Sequence, residues 1–232
     1  GANKLTQQAA GPSRLAAFLN LEMGSIMNLN IHEIANLQDE FLLPWLDLYE
    51  TAFPPSEKIL ISTYLRLFQV GKIGPHAENH LLAVLNENGD LAGMAHYEKT
   101  LEPGTPASLW YLAVQPGQRG GGLGAHIYQH VLAQCREKQA PALLFEVELP
   151  EEMSSEAARV LAGRRIQFYE RQGALRLTGV HYLQVVGWHQ TPMPMQVMVH
   201  PLQALTPEQA FELAAWQYEE NIRQTGTLRL EK

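Results

Sequence analysis

The sequence predicts an α/β protein with a mixed, mostly antiparallel central sheet flanked by helices. Two strand-like runs are joined by 87–90, whose Asn88-Gly89 pair is typical of a hairpin turn. Stretches with apolar residues three or four apart predict helices before and after this hairpin. Strand, glycine-rich loop, helix and strand follow one another over 109–149. They predict one parallel βαβ unit, which makes the sheet mixed.

The first third of the chain predicts an extension, a strand and two helices ahead of the hairpin. Residues 1–25 are polar and contain Gly11-Pro12, so we expect them to form an N-terminal extension. Apolar and polar residues alternate over 27–34, as in a half-buried strand. The other elements predicted here are helices over 39–49 and 57–70, with a break at 53–56, and hairpin strands over 80–86 and 91–99.

The remaining chain predicts alternating strands and helices. They are a strand over 109–114, a helix that begins near 123, a strand over 142–149, a helix over 156–172, strands over 175–186 and 195–200, and a final helix to about 223. The helix near 123 has apolar residues every four positions, at Leu123, Ile127, Val131 and Cys135. This spacing predicts a stripe that faces the core. Thr206 and Pro207 are typical N-cap and N1 residues.

The chain is therefore divided into an extension (1–25), one domain (26–200) and a C-terminal helix packed on that domain (201–232). Its 17 Lys and Arg against 24 Asp and Glu give a formal net charge of −7, which argues against a nucleic-acid partner. The sequence contains no apolar run of about eighteen residues, the length that a membrane span requires, and no recognisable export signal. We therefore expect a cytoplasmic protein without a membrane partner. Cys135 is the one cysteine, which excludes an internal disulfide. A homodimer stays open as an assembly state.

An arginine inside a cluster of glycines follows the strand over 109–114. Gly120, Gly121, Gly122 and Gly124 lack Cβ atoms, so backbone N–H groups can turn toward one ligand. The positive end of the following helix favours an anion, and Arg119 adds a fixed charge. The loop therefore predicts a pyrophosphate site.

Two other glycine motifs are compared with this loop. A P-loop would end in Gly-Lys-Ser/Thr, which is absent. Gly120, Gly122 and Ala125 formally fit the dinucleotide pattern, with Glu146 as its acidic residue. However, 115–119 separate the strand from the first glycine, and the further βα units of a doubly wound domain are missing. A dinucleotide-dependent oxidoreductase is therefore the weaker alternative.

The loop resembles the central acetyl-CoA motif of the GNAT superfamily of acyl-CoA-dependent N-acetyltransferases. Arg119, Gly122 and Gly124 match its kernel, Q/R-x-x-G-x-G/A. The block 165–174 is similar to the later Phe-Tyr-Glu-x-x-Gly-Phe signature of the family, although Arg165 stands where a small residue is common. The predicted element order also matches, and the resemblance covers about 27–200.

This resemblance implies acetyl-CoA as cosubstrate and no metal. N–H groups from 118 to 124 would hold the CoA pyrophosphate, and the edge of the strand at Ala113-Val114 would pair with the pantetheine amides. The thioester would then lie between the strands over 109–114 and 142–149. The implied cofactor-binding residues are Ala113, Val114, Gln118, Arg119, Gly120, Gly121, Gly122, Leu123, Gly124 and Ala125.

The resemblance also implies the catalytic groups. Tyr169 stands where many members carry the acid that protonates the CoA sulfur. Some members place a glutamate early in the motif strand, but this chain has Ser108-Leu109-Trp110 there. Glu146 and Glu148 project from one face of the adjacent strand, and a partly buried carboxylate can accept a proton. Either is a candidate base; alternatively they pair with Arg164 or Arg165, or recognise a cationic substrate.

We therefore predict an N-acetyltransferase that moves an acetyl group from acetyl-CoA to a primary amine by direct attack in a ternary complex. The acceptor would be a small-molecule or peptide amine, bound by 53–55 and 182–195, with Trp188 included. A CoA-binding regulatory module without catalysis is the second hypothesis, because the early-strand glutamate is absent. The histidine pairs His76/His80 and His126/His130 are interpreted as surface or packing residues, since neither pair has an evident third ligand.

Overall fold

The computed structural model describes residues 30–72, 77–185 and 191–232. The strands in these ranges are β1 Asn30–Glu33, β2 Ala77–Leu85, β3 Leu91–Thr100, β4 Ala107–Val114, β5 Ala142–Glu148, β6 Leu175–Gln184, β7 Met193–Pro201 and β8 Ile222–Glu231. The helices are α1 Leu42–Ala52, α2 Ile61–Gln69, α3 Leu123–Glu137, α4 Glu156–Arg171 and α5 Pro207–Tyr218. The expected extension, the start of the strand over 27–34, His76 and Trp188 lie outside the described residues.

One sheet contains all of these strands, in the order β1-β2-β3-β4-β5-β7-β6-β8. Its neighbours pair antiparallel except for β4 and β5, which are parallel and are joined through α3. This confirms the predicted mixed sheet with one parallel βαβ unit. A doubly wound dinucleotide-binding domain needs several parallel neighbours, so the topology removes the structural basis of the oxidoreductase alternative.

The core lies in layers on both faces of the sheet. α3 and Tyr169 of α4 pack on one face, where Leu123, Ile127, Val131 and Cys135 are all buried, as the spacing predicted. α1 and α2 cover the other face over β2 to β4, and α5 covers it over β5 to β7. Side chains of β5 alternate between the two faces, with Phe145 toward α3 and Leu144 toward α5. Glu146 therefore lies on the α5 side.

Several helix ends have a local sequence cause. Gly173 has φ +100° directly after α4, a conformation that favours glycine. Thr206 caps α5, since its hydroxyl accepts from the Gln209 N–H at 3.2 Å while the Gln209 side chain accepts from the Thr206 N–H at 2.9 Å. Pro44 is tolerated in the first turn of α1, where no intrahelical donor is required.

Three predicted boundaries are wrong. The helix expected from 39 begins at Leu42, because the Asp39 carboxylate accepts the N–H groups of Ala35 and Phe41. The helix expected from 57 begins at Ile61, and Pro55–Glu57 forms a separate 3-10 turn. The last helix ends at Tyr218 instead of about 223, and β8 follows it. β8 was not predicted because it is an edge strand whose mostly exposed residues carry no clear apolar alternation.

Candidate active site

β4 and β5 separate from each other and open a cleft in the sheet. They pair only at Ala107 with Leu143 and at Ser108 with Leu144. Directly afterwards β4 carries a β-bulge, since Trp110 is an extra residue between Leu109 and Tyr111 in the pairing with β3. A bulge bends its strand and increases the local twist. β4 consequently leaves β5, and the cleft between them has a volume of about 1060 Å³.

The open edge of β4 presents backbone groups to this cleft. The N–H of Gln115 donates to the carbonyl of Ala92 on the β3 side at 2.9 Å. Peptide groups alternate in an antiparallel ladder, so those of Val114 point to the open side and those of Ala113 to β3. Accordingly, Arg119 Nε reaches the carbonyl of Val114 at 3.2 Å. Val114 is therefore placed to pair with an extended ligand, while Ala113 contributes only its position along the wall.

The glycine loop lies where β4 ends and α3 begins. Gly120 and Gly122 have φ of +90° and +81°, which favour glycine. Gly122 is the N-cap of α3 and no side chain caps the helix, so its first N–H groups are left for a ligand. At Gly124 a Cβ would lie 3.6 Å from Val114 Cγ2 and 3.7 Å from Phe168 Cζ. A larger side chain would therefore fill the space between Gly124 and these two residues.

Nearly all of the predicted cofactor-binding residues line the cleft together. They are Ala113, Val114, Gln118, Arg119, Gly120, Gly122, Leu123, Gly124 and Ala125. Gly121 is exposed on the loop and does not line it. The loop, the edge of β4 and the start of α3 thus form one continuous surface that suits an anion followed by an extended chain.

Tyr169 enters the cleft from α4. Its ring packs against Tyr128, Phe145 and Phe168, and the residue is 7% exposed. Burial raises the pKa of the Tyr169 phenol to about 12, although the nearby charge of Arg165 opposes this rise. The hydroxyl therefore keeps its proton at neutral pH and can donate it, which is the state that an acid requires.

The two carboxylates predicted as bases have different surroundings. Glu146 lines the cleft, and it accepts hydrogen bonds from Gln184 Nε2 at 3.1 Å and from the Tyr218 hydroxyl at 2.9 Å. Burial raises the pKa of Glu146, while these hydrogen bonds oppose the rise. Glu148 is buried, forms an ion pair with Arg165, and does not line the cleft. The pairing with Arg165 was one of the alternatives that the sequence left open.

Glu57 is a cleft residue that the sequence analysis missed. It ends the 3-10 turn before α2 and lines the cleft opposite β5. Its backbone carbonyl accepts from the Tyr111 hydroxyl at 2.7 Å, which ties the turn to β4. Burial first, and then the charge of Glu148, raise the pKa of Glu57 to about 7. No local motif marks this residue, because its environment is formed by β4, β5 and α4.

Only some of the residues expected to bind the acceptor lie at the cleft. Phe53, Tyr182, Gln184 and Met195 line the cleft, whereas Pro54 and Pro55 do not. Gln217, Tyr218, Glu219 and Asn221, from the end of α5 and the turn before β8, also line it. The sequence predicted a C-terminal helix packed on the domain, without a place in the wall of this cleft.

One histidine of each predicted pair has a hydrogen-bond partner, and Cys135 is buried. His126 Nδ1 lies 3.0 Å from the Gly122 carbonyl, and His80 Nδ1 lies 2.9 Å from Glu33 Oε1. Burial raises the pKa of the Cys135 thiol to about 12, which disfavours the nucleophilic thiolate. The parts of the chain that the structure describes contain no group of three metal-ligating side chains and no helix able to span a membrane.

Comparison with solved structures finds proteins with a similar fold. A GNAT-family protein from Bacteroides thetaiotaomicron is 23% identical, with a TM-score of 0.61 over 81% of this chain and 97% of that one. A GNAT-family protein from Desulfovibrio desulfuricans is 17% identical, with a TM-score of 0.52 over 75% and 99%. A Bacillus subtilis acetyltransferase in complex with CoA is 13% identical, with a TM-score of 0.50 over 76% and 100%.

Curated proteins provide no significant match. The model of the acetyltransferase (GNAT) family matches residues 40–174, which is more than half of the 232 residues. The matched region includes the glycine loop, both strands of the cleft and Tyr169. The chain therefore belongs to the GNAT family of acetyltransferases.

Proposed function

We propose that this protein transfers an acetyl group from acetyl-CoA to a primary amine by direct attack in a ternary complex. The observation that carries the proposal is the cleft between β4 and β5. An anion-binding loop, an open strand edge and a protonated tyrosine all face this one space. The solved structure of the similar Bacillus subtilis protein as a CoA complex supports CoA as the cosubstrate.

The residues present fit a CoA molecule. N–H groups of the loop and of the first turn of α3 would bind the pyrophosphate, with Arg119 beside them. The N–H of Val114 would donate to the pantetheine arm, which would lie along β4 as an additional strand. When bound, acetyl-CoA supplies the activated acetyl group as a thioester. In this arrangement the acyl end of the arm would lie between β4 and β5, near Trp110.

Tyr169 is proposed as the acid that protonates the departing sulfur. Its hydroxyl retains a proton at neutral pH, and Arg165 lies close enough for its charge to favour the phenolate that remains after transfer. The acceptor amine would approach from the side of Phe53, Tyr182 and Tyr218, away from the glycine loop. Glu146 lies on that wall, which supports a positively charged or hydrogen-bonding acceptor in the form of a small molecule or a peptide amine.

Calorimetric titration with CoA, acetyl-CoA and NAD tests the cosubstrate. CoA and acetyl-CoA are expected to bind with one site per chain and NAD is not. At about 100 times Kd, CoA should stabilise the fold by about 2.7 kcal/mol, which corresponds to a rise in Tm of roughly 5–10 °C. Binding of NAD, or no binding and no shift with CoA, would contradict the proposal.

A further inference from the structure

Resting on the proposed function, we infer that Glu57 is a catalytic residue that accepts the proton released by the acceptor amine. Glu57 faces the cleft from the turn before α2, and the Glu148–Arg165 ion pair lies beside it. This assigns the base to neither of the two carboxylates on β5. It also gives a chemical role to the segment that connects α1 to α2.

The backbone of Glu57 is fixed relative to the strand that would hold the thioester arm. Tyr111 directly follows the bulged Trp110, and its hydroxyl donates to the Glu57 carbonyl at 2.7 Å. The same hydroxyl accepts from the Ile59 N–H at 3.3 Å. The Ile59 carbonyl in turn accepts from the Tyr49 hydroxyl of α1 at 2.9 Å. The turn is thus attached both to β4 and to the core, which holds the backbone of Glu57 close to the residue that follows the bulge.

The other two carboxylates already have hydrogen-bond or ion-pair partners. Glu146 accepts from both Gln184 and Tyr218, and Glu148 is paired with Arg165. The Glu57 carboxyl lies beside that of Glu148, and among the described residues no lysine or arginine donates a hydrogen bond to it. Glu57 is therefore the carboxylate of this cluster with the most freedom to take a proton.

Burial and the neighbouring charges bring the pKa of Glu57 close to neutral pH. Glu146 and Glu148 face it from β5, Arg165 faces it from α4, and Tyr111 contacts its backbone from β4. Burial has the largest effect on its pKa, and the two carboxylates add to the rise while Arg165 opposes it, with a result of about 7. A base is most effective when its pKa lies near the working pH.

The proposed transfer balances in protons and electrons. The amine nitrogen forms a bond to the acetyl carbonyl carbon with its lone pair, and the C–S bond breaks with its electron pair on sulfur. One N–H proton moves to the Glu57 carboxylate, and the sulfur receives the proton of the Tyr169 hydroxyl. The products are the amide and the CoA thiol. Exchange with solvent then removes the proton from Glu57 and gives a proton back to Tyr169.

Arg165 is part of the same arrangement. It stands where the family commonly has a small residue, and its charge acts on Glu148, Glu57 and Tyr169. Glu148 pairs with Arg165, and the charge of Glu148 raises the pKa of Glu57. Arg165 is therefore a positioning residue that connects the proposed base with the proposed acid.

Kinetics of Glu57→Gln and Glu57→Ala test this role, with acetyl-CoA and a panel of primary amines that includes hydroxylamine as a small nucleophile uncharged near neutral pH. Glu57→Gln is expected to lower kcat about 10²–10⁴-fold, the usual effect of losing a general base, with CoA affinity kept within about twofold. The rise of kcat/KM across about pH 7 should disappear. Added formate should partly restore Glu57→Ala, a rescue that a purely structural role would not produce.

Glu50→Gln is the matched control, because Glu50 is an exposed carboxylate of the neighbouring helix that accepts from Lys58 at 2.5 Å outside the cleft. It should keep the wild-type pH profile. Wild-type turnover together with an unchanged rate and profile in Glu57→Gln would overturn the role of Glu57 alone. Absence of turnover in the wild type with every amine would overturn the proposed function, and this inference with it.

Discussion

Tyr169 combines a packing role and a chemical role in one side chain, and the two can be separated. Tyr169→Phe keeps the ring contacts with Tyr128, Phe145 and Phe168 and removes only the hydroxyl. Turnover is expected to fall about 10²-fold or more because the departing sulfur loses its proton donor. CoA affinity and Tm should change little. Steady-state kinetics beside calorimetric titration check this; unchanged turnover would remove Tyr169 from the acid role.

Glu57 should leave a signature in the pH dependence of stability, independent of any acceptor. Its pKa rises from 4.5 to about 7 on folding, so between these values the folded state holds a proton that the unfolded chain has released. Wild-type stability therefore falls as pH rises through this window. Glu57→Gln lacks this titration and should gain about 1–2 kcal/mol relative to wild type between about pH 5 and 8.

Urea unfolding of both proteins at several pH values measures this difference. Burial and the nearby Glu148 charge are the causes of the raised pKa, so Glu57→Gln is most favourable where wild-type Glu57 would be ionised. A difference in the free energy of unfolding that stays constant with pH would mean that Glu57 titrates in the folded protein as it does in water.

At the scale of elements, the open edge of β4 leads to the most specific prediction about the cosubstrate. Val114→Pro removes one N–H on the open edge while the Gln115 to Ala92 hydrogen bond on the other edge can remain. Loss of one hydrogen bond of about 1 kcal/mol should weaken CoA binding roughly fivefold.

Val114→Ala is the control, because it shortens the side chain and keeps the N–H. Calorimetric titration of both variants with CoA, together with their Tm values, distinguishes loss of the N–H from loss of packing. Equal affinities in the two variants would show that CoA does not use the N–H of Val114.

Local sequence patterns predict some elements of this fold and miss others. The hairpin, the glycine loop and α3 were predicted because turn residues, missing Cβ atoms and apolar spacing act within a few residues. The turn at Pro55–Glu57 was not, since the hydrogen bonds of Tyr111 hold it to β4 in place of the helical continuation that its sequence favours. β8 escaped prediction because an exposed edge strand needs little apolar pattern.

At the scale of the whole molecule, the sequence predicted the fold and the glycine-loop end of the cleft, proposed for CoA, better than the acceptor end, proposed for the amine. The two recognisable blocks are the loop that leads into α3 and the C-terminal part of α4, and both helices pack on one face of the sheet. The acceptor end combines the 55–57 turn, β5, β6 and the end of α5, which are distant in the chain. The contacts of Glu146 with Tyr218 and of Glu57 with Glu148 exist only once the sheet order brings these segments together.

Release of the CoA thiol from acetyl-CoA in the presence of primary amines, with the mass of the product measured, tests the central claim most directly. The account predicts release that depends on the amine and an amine product heavier by one acetyl group. It also predicts that this release is strongly reduced in Tyr169→Phe and in Glu57→Gln. Tight binding of CoA without transfer to any amine in a broad panel would contradict it and would support a CoA-binding module without catalysis.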